Sequence, residues 1–205
     1  MAKSDNDLTL YAYEHGVNEY NAVAIPNVTG AVKVWIDAGL AMLSAHAHIL
    51  ELGSAHGRDA NYIESLGFEI DRTDAAKSFV NYMESQGYNA RLLNALTDDY
   101  GGPYDMVYAN AVLVHFSQNE CCEVLQRAKK SLKPNGLFSF SVKVGQEPEW
   151  SNSKLKDPRF FTYWQEGPLK TLLKQNGYNL VYWKESKTGH NAGNWFHIIV
   201  RASSI

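Results

Sequence analysis

Five short apolar runs separated by stretches of helical length constrain this chain more than any other feature. Residues 48–52, 68–70, 90–93, 104–109 and 137–142 read as strands, and 58–66, 75–86 and 120–132 between them read as helices. Gly67 and Gly87 stop the first two helices, and Lys129, Lys130 and Lys133 gather near the end of the third, where cations suit the helix dipole. Parallel strands need crossover connections of about a dozen residues, which a helix supplies. The expected fold is therefore α/β: a doubly wound, Rossmann-like, mostly parallel sheet with helices on both faces. With 45% hydrophobic and 20% charged residues, a chain of 205 residues fills one real core, and a single domain over 1–205 is expected.

The two ends read differently. Residues 8–21 form a short helix hinged at Gly16, and 27–44 repeat apolar residues at helical spacing, so 1–45 are expected to be a helical cap. Beyond the fifth strand, 145–154 lack periodicity, and a loop that long inside a compact domain is often functional. A helix over 166–175 precedes two strand-like runs, 180–183 and 195–200, whose connection over 184–194 suits an antiparallel hairpin at the sheet edge.

A net charge of −3 argues against a sequence-independent grip on nucleic acid phosphates. No apolar run approaches the roughly 20 residues that span a bilayer, and the polar start Met1 to Asp7 lacks the apolar stretch of a secretory signal, so a cytoplasmic protein with no membrane partner is expected. The only cysteines, Cys121 and Cys122, are adjacent and offer neither an unstrained disulfide nor a zinc site; no metal is expected.

The first strand runs through Leu50-Glu51-Leu52 into Gly53-Ser54-Ala55-His56-Gly57 and then a helix. A glycine-bearing turn there lets a ligand lie against bare backbone and a helix N-terminus. About twenty residues on stands Asp74, placed to accept both hydroxyls of a ribose. The spacing departs from the G-x-G-x-x-G fingerprint, because Ala55 holds its second glycine position, and Glu51 would repel a pyrophosphate; both weaken the case for a nicotinamide cofactor. Glu51 suits a ligand with an ammonium group instead.

Taken in order, these motifs resemble the class I S-adenosylmethionine-dependent methyltransferases, specifically small bacterial members of the general methyltransferase-domain type, from about residue 48 to 201. Glu51 to Gly57 resembles the family's acidic glycine-rich loop and Asp74-Ala75 its ribose acid. Asn94-Ala95 stands where the family has an adenine-contacting acid, Asn110-Ala111 follows the fourth strand, and Lys133-Pro134-Asn135-Gly136 resembles the turn before the fifth. The resemblance implies S-adenosylmethionine as cofactor, S-adenosylhomocysteine as product, a cofactor-binding half over 46–144 and a substrate side over 145–205. It further implies that Glu51 meets the methionyl ammonium, and that Gly53, Ser54, Ala55 and Gly57 bring backbone to the methionyl and ribose parts. Asp74 would take the ribose hydroxyls and Ala75 pack by the adenine. Asn94 and Ala95 would read the adenine edge, while Asn110 and Ala111 line the cavity near the sulfonium. Two departures stand out: Ala55 replaces a glycine, and Asn94 replaces an acid while keeping an acceptor oxygen.

Methyl transfer from a sulfonium is an in-line displacement that mainly needs alignment and exclusion of water, so no fixed catalytic constellation is expected. His115, after the fourth strand, is the candidate base. Tyr11 and Tyr20 in the cap, Arg159 and Tyr163 in the aromatic run, and His190 are the substrate-side candidates. The expected partner is a small molecule accepting the methyl group on oxygen, nitrogen or sulfur. The alternatives are an S-adenosylmethionine-binding protein without turnover and a tRNA-modifying methyltransferase.

Overall fold

The structure, a computed structural model, describes residues 3–187 and 193–203. The chain begins with α1 (Asp5–His15), which opens on a capping box: Ser4 Oγ accepts from the Asp7 N–H at 3.0 Å and the Asp7 carboxylate accepts from the Ser4 N–H at 2.9 Å. Gly16 breaks the helix before α2 (Val17–Val23), as the sequence implies. Close packing is the reason for glycine here, since a Cβ would lie 2.9 Å from a methyl of Leu155 and 2.8 Å from the Ala12 carbonyl. The next helix, α3 (Gly30–Leu40), is shorter than the expected 27–44.

Strands and helices then alternate: β1 (His48–Glu51), α4 (Arg58–Ser65), β2 (Glu69–Asp74), α5 (Lys77–Ser85), β3 (Ala90–Leu92), β4 (Tyr104–Ala109), α6 (Gln118–Ser131) and β5 (Leu132–Val144). After β6 (Glu149–Ser151), β7 (Arg159–Phe161), β8 (Tyr163–Trp164) and α7 (Glu166–Gln175), the described chain closes with β9 (Tyr178–Lys187) and β10 (Asn194–Ala202). The main sheet runs β3-β2-β1-β4-β5-β10-β9; the first five strands are parallel, and β10 is antiparallel to both β5 and β9. This is the expected mostly parallel sheet with a C-terminal hairpin.

Period-two alternation sorts side chains into two layers. Ile49, Met106, Tyr108 and Ile199 face α3 and α4, packing with Trp35, Ile36, Ala60 and Ile63. Leu50, Val107, Phe138 and Ile198 face the other way, onto Val124 and Leu125 of α6 and Leu169 and Leu173 of α7. Burying each large side chain of these layers contributes roughly 1.5–3 kcal/mol. Trp35 is wholly buried, and its Nε1–H reaches the Ile198 carbonyl at 3.3 Å.

Three expectations need correction. The second strand extends to Asp74, and α5 starts at Lys77 rather than residue 75. Lys133 to Gly136 does not precede β5 but lies within it: pairing jumps from Tyr104 with Leu132 to Met106 with Leu137, and Asn135 takes φ +63° to absorb the extra residues. The stretch 145–154 is not wholly irregular either, because β6 within it pairs antiparallel with β7.

Chain order reverses between β1 and β4: successive strands run outward through β2 and β3 on one side and through β5 on the other. The carboxyl ends of β1 and β4 therefore border the crevice where open α/β sheets bind ligands.

Candidate functional site

Past Glu51 the loop is stitched to both neighbouring strands. The Leu52 N–H donates to the Tyr108 carbonyl and the Ser54 N–H to the Thr73 carbonyl, both at 2.8 Å; Ser54 Oγ accepts from the Thr73 N–H at 3.1 Å. Gly53 adopts φ +67°, and a Cβ there would sit 2.6 Å from Val112, so only glycine fits. Ala55 holds φ +49°, an uncommon conformation for a residue with a side chain. Its N–H donates to Asp74 Oδ2 at 2.9 Å, while Asp74 Oδ1 accepts from the Ala76 N–H at 2.9 Å. An ionised carboxylate offers about four acceptor sites, so Asp74 keeps acceptor capacity beyond the N–H groups of its own loop. Burial pushes its carboxyl up to about 6, against the opposing pull of these N–H groups.

A cavity of about 730 Å³, its open mouth included, lies over this loop. Gly53, Ala55, Asp74, Ala75, Asn94, Ala95 and Ala111 line it from the ends of β1 to β4, and Tyr20 and His115 line its other side. Nine of the residues marked in the sequence thus share one wall or another of a single cavity. Ala111 is a second alanine at positive φ, +59°, with its N–H held by Ser141 Oγ at 2.8 Å.

Glu51, Ser54, Gly57 and Asn110 are not among the lining residues. Glu51 is 2% exposed, its Oε2 has no hydrogen-bond partner among the described residues, and burial, aided by the negative charge of Asp59, pushes its carboxyl up to about 8. Asn110 donates to Asp59 Oδ2 at 2.7 Å and accepts from Ser141 Oγ at 2.8 Å. Tyr108 Oη and Arg58 Nε also donate to Asp59, at 2.8 and 2.6 Å. Asn110 is therefore tied into a polar cluster. Asn94 lines the cavity, but its Oδ1 already accepts from the Leu96 N–H at 2.9 Å, leaving one acceptor site.

The cap supplies the remaining wall. Tyr13, not Tyr11, faces the cavity; Tyr11 is 45% exposed and stacks on His15 at 4.1 Å. Residues two apart on a helix point to nearly opposite faces, which is why only one of the pair turns inward. Phe79, unmarked in the sequence beyond its helical apolar spacing, completes an aromatic cluster with Tyr20 at 5.3 Å and Tyr13 at 6.2 Å. Asn6, Thr9 and Leu10 of α1, with Leu52, Leu93, Val112 and Phe116, complete the lining; nothing in their local sequence distinguishes them from ordinary surface or core positions.

Both ring nitrogens of His115 are engaged. Nδ1 lies 2.7 Å from the Phe160 carbonyl, which can only accept, so Nδ1 carries the proton and Nε2 accepts from the Tyr13 hydroxyl at 2.9 Å. Burial pushes His115 down to about 3, with Arg159 and Lys143 adding to the effect, so the imidazole is neutral at pH 7 and a weak proton acceptor. Arg159 does not line the cavity but reaches its wall, Nη1 donating to the Tyr13 oxygen at 3.1 Å. Tyr163 also lies outside the lining and donates to Glu149. His190 falls outside the described residues.

These residues fit an S-adenosylmethionine ligand. The cavity meets bare backbone at Gly53, a carboxylate with spare acceptor sites at Asp74, and apolar walls for a flat ring, while an unpartnered buried carboxylate oxygen of Glu51 underlies the loop.

Comparisons with known proteins agree. The profile of the methyltransferase-domain family matches residues 29–182, well over half of the chain. No curated protein matches. Among solved structures, magnesium protoporphyrin IX methyltransferase from Synechocystis PCC 6803, with bound S-adenosylhomocysteine, superposes with TM-score 0.75 at 11% identity, over 98% of this chain and 100% of that one. The 1,6-didemethyltoxoflavin-N1-methyltransferase of Burkholderia thailandensis, with its substrate and S-adenosylhomocysteine, gives 0.71 at 18% identity, over 100% and 92%. A 4+2 cyclase, SpnF, gives 0.74 at 13% identity, over 100% and 98%. At such identities the solved structures establish the fold, and the family match adds the activity: the chain belongs to the class I S-adenosylmethionine-dependent methyltransferases.

Proposed function

We propose that this enzyme methylates an oxygen, nitrogen or sulfur atom of a small molecule enclosed beneath α1 and α2. The observation that carries this reading is how tightly the cap is strapped over the cavity. Thr9 Oγ1 accepts from the Phe160 N–H at 2.9 Å, Tyr13 bonds His115, and Glu14 accepts from the Ser78 N–H at 3.1 Å. A folded macromolecule meets that cap before it meets the cavity, whereas a small acceptor can be enclosed beneath it. Two of the relatives with this fold are named for small-molecule acceptors.

When bound, the cofactor supplies a methyl group already activated by its sulfonium. Asp74 would hold the ribose through its remaining acceptor capacity, and Gly53 and Ala55 would bring backbone against the nucleoside. Glu51 would give up its proton to balance the ammonium, directly or through water. Leu10, Leu52, Phe79, Leu93, Val112 and Phe116 keep water from the reacting atoms. His115 serves as a positioning residue: it orients Tyr13 and anchors the cap to β7 rather than taking a proton from the acceptor.

The 4+2 cyclase, which shares this fold, keeps alive a second reading, cofactor binding without methyl transfer. Incubating the enzyme with methyl-tritiated S-adenosylmethionine and extract of its source cells separates the two. Label in the acid-soluble, low-mass fraction supports the proposal; label in precipitated RNA or protein, or in nothing, contradicts it.

A further inference from the structure

Arg159 is 3% exposed, yet among the described residues no carboxylate pairs with it. Its Nη1 donates to Tyr13, but Nε and Nη2 are buried without a partner. Those two nitrogens form one edge of the guanidinium plane, with parallel N–H groups spaced to grip both oxygens of an oxyanion. Leaving a buried cation unpaired is expensive, so such an edge calls for a ligand.

Two further cations stand close by. Lys143 Nζ lies 4.1 Å above the Phe161 ring, and the Arg159 guanidinium lies 5.2 Å from that same ring. Lys154, at the exposed rim, lies 5.8 Å over Tyr20, whose ring is 6.0 Å from that of Tyr13, itself 5.4 Å from Arg159. Glu149 accepts from the Tyr163 hydroxyl, to which Lys143 donates at 3.3 Å, so this acid is engaged on the Lys143 side. Tyr13 and Tyr20 line the cavity, so this cationic group sits immediately behind its cap-side wall.

We propose that the methyl acceptor carries an anionic group, a carboxylate or a phosphate, that docks on the Nε–Nη2 edge of Arg159, with Lys143 and Lys154 drawing it in. Rim charge guides the anion, and the fork fixes its orientation while a different atom of the molecule meets the methyl group. The proposal rests on the small-molecule reading above and narrows its substrate class.

The test divides source-cell metabolites by anion exchange into an acidic pool and a neutral-plus-basic pool, then supplies each to the enzyme with methyl-tritiated S-adenosylmethionine. Label is expected from the acidic pool. Pretreating that pool with phosphatase assigns the handle, abolishing labelling for a phosphate and sparing it for a carboxylate. With the labelled pool as substrate, Arg159→Lys, which keeps the charge but loses the fork, should raise KM about tenfold or more, and Lys154→Gln at the rim should raise it severalfold. Titration with S-adenosylhomocysteine should give wild-type affinity for both variants, showing that they fold. Label from the neutral-plus-basic pool alone, or an unchanged KM in both variants, overturns the anionic handle but leaves small-molecule methylation standing. Label from neither pool overturns both.

Discussion

The Tyr13 hydroxyl donates to His115 Nε2 across 2.9 Å, joining residues 102 positions apart and fastening the cap helix to the end of the fourth strand's turn. The same oxygen accepts from Arg159, so one phenol links cap, sheet edge and the cationic group behind the wall.

Tyr13→Phe leaves His115 Nε2 and one Arg159 N–H unpaired in a buried place, at an expected cost of about 1–3 kcal/mol in urea unfolding. The pH profile tells positioning from base catalysis. With His115 held down at about 3, kcat/KM of the wild type and of His115→Gln should share the same shape from pH 5.5 to 8, the variant being uniformly slower. A wild-type acid limb near pH 6.5 that disappears in the variant would restore His115 as a general base.

Ala55 sits at φ +49° where the family resemblance places glycine. A left-handed conformation costs an L-residue about 1–2 kcal/mol, part of which glycine gives back through its freer unfolded chain. Ala55→Gly should therefore raise stability by up to about 1 kcal/mol in thermal unfolding without weakening S-adenosylhomocysteine binding. A clear loss of stability would mean that the methyl group packs usefully.

Glu51 makes ligand-free stability depend on pH in a definite direction. Between its ordinary value of 4.5 and about 8 the folded chain keeps a proton that the unfolded chain has lost, so this group's contribution falls as pH rises through that window. Asp74, up at about 6, acts the same way over the lower part. Buried His115 and His197, down at about 3 and 4, act oppositely below pH 6.5, because unfolding lets them protonate. The clean interval is thus pH 6.5–8. There Glu51→Gln should gain on the wild type by on the order of 1–2 kcal/mol in urea unfolding, while binding S-adenosylhomocysteine more weakly. A constant difference between the two proteins across the interval would contradict the assignment.

Much of this was legible in the sequence because short-range signals carry it. The β4 run 104–109 and the α7 run 166–175 match the structure because Gly-Pro and Asn-Gly punctuation bounds them. Asp74 was legible by its distance from the glycine loop, which a strand-helix-strand unit sets. What escaped is long-range or directional. Which of Tyr11 and Tyr13 turns inward depends on where α1 lies against β7 and α5. The β6–β7 pairing joins residues across a segment with no periodicity of its own. The Asn94 oxygen is taken up by a local turn at Leu96 that its motif position conceals. The unpartnered Nε–Nη2 edge of Arg159 emerges only once the described residues around it are in place.

The central claim is that the cavity over the Gly53–Ala55 turn holds an adenosyl ligand through Asp74. Calorimetric titration of wild type and Asp74→Ala with S-adenosylhomocysteine, and of wild type with NAD, tests it most directly. One-to-one binding of S-adenosylhomocysteine, weakened by about 1–3 kcal/mol in Asp74→Ala, with no comparable heat from NAD, is the predicted result. Equal affinity in the two proteins, or tighter binding of NAD, would contradict it.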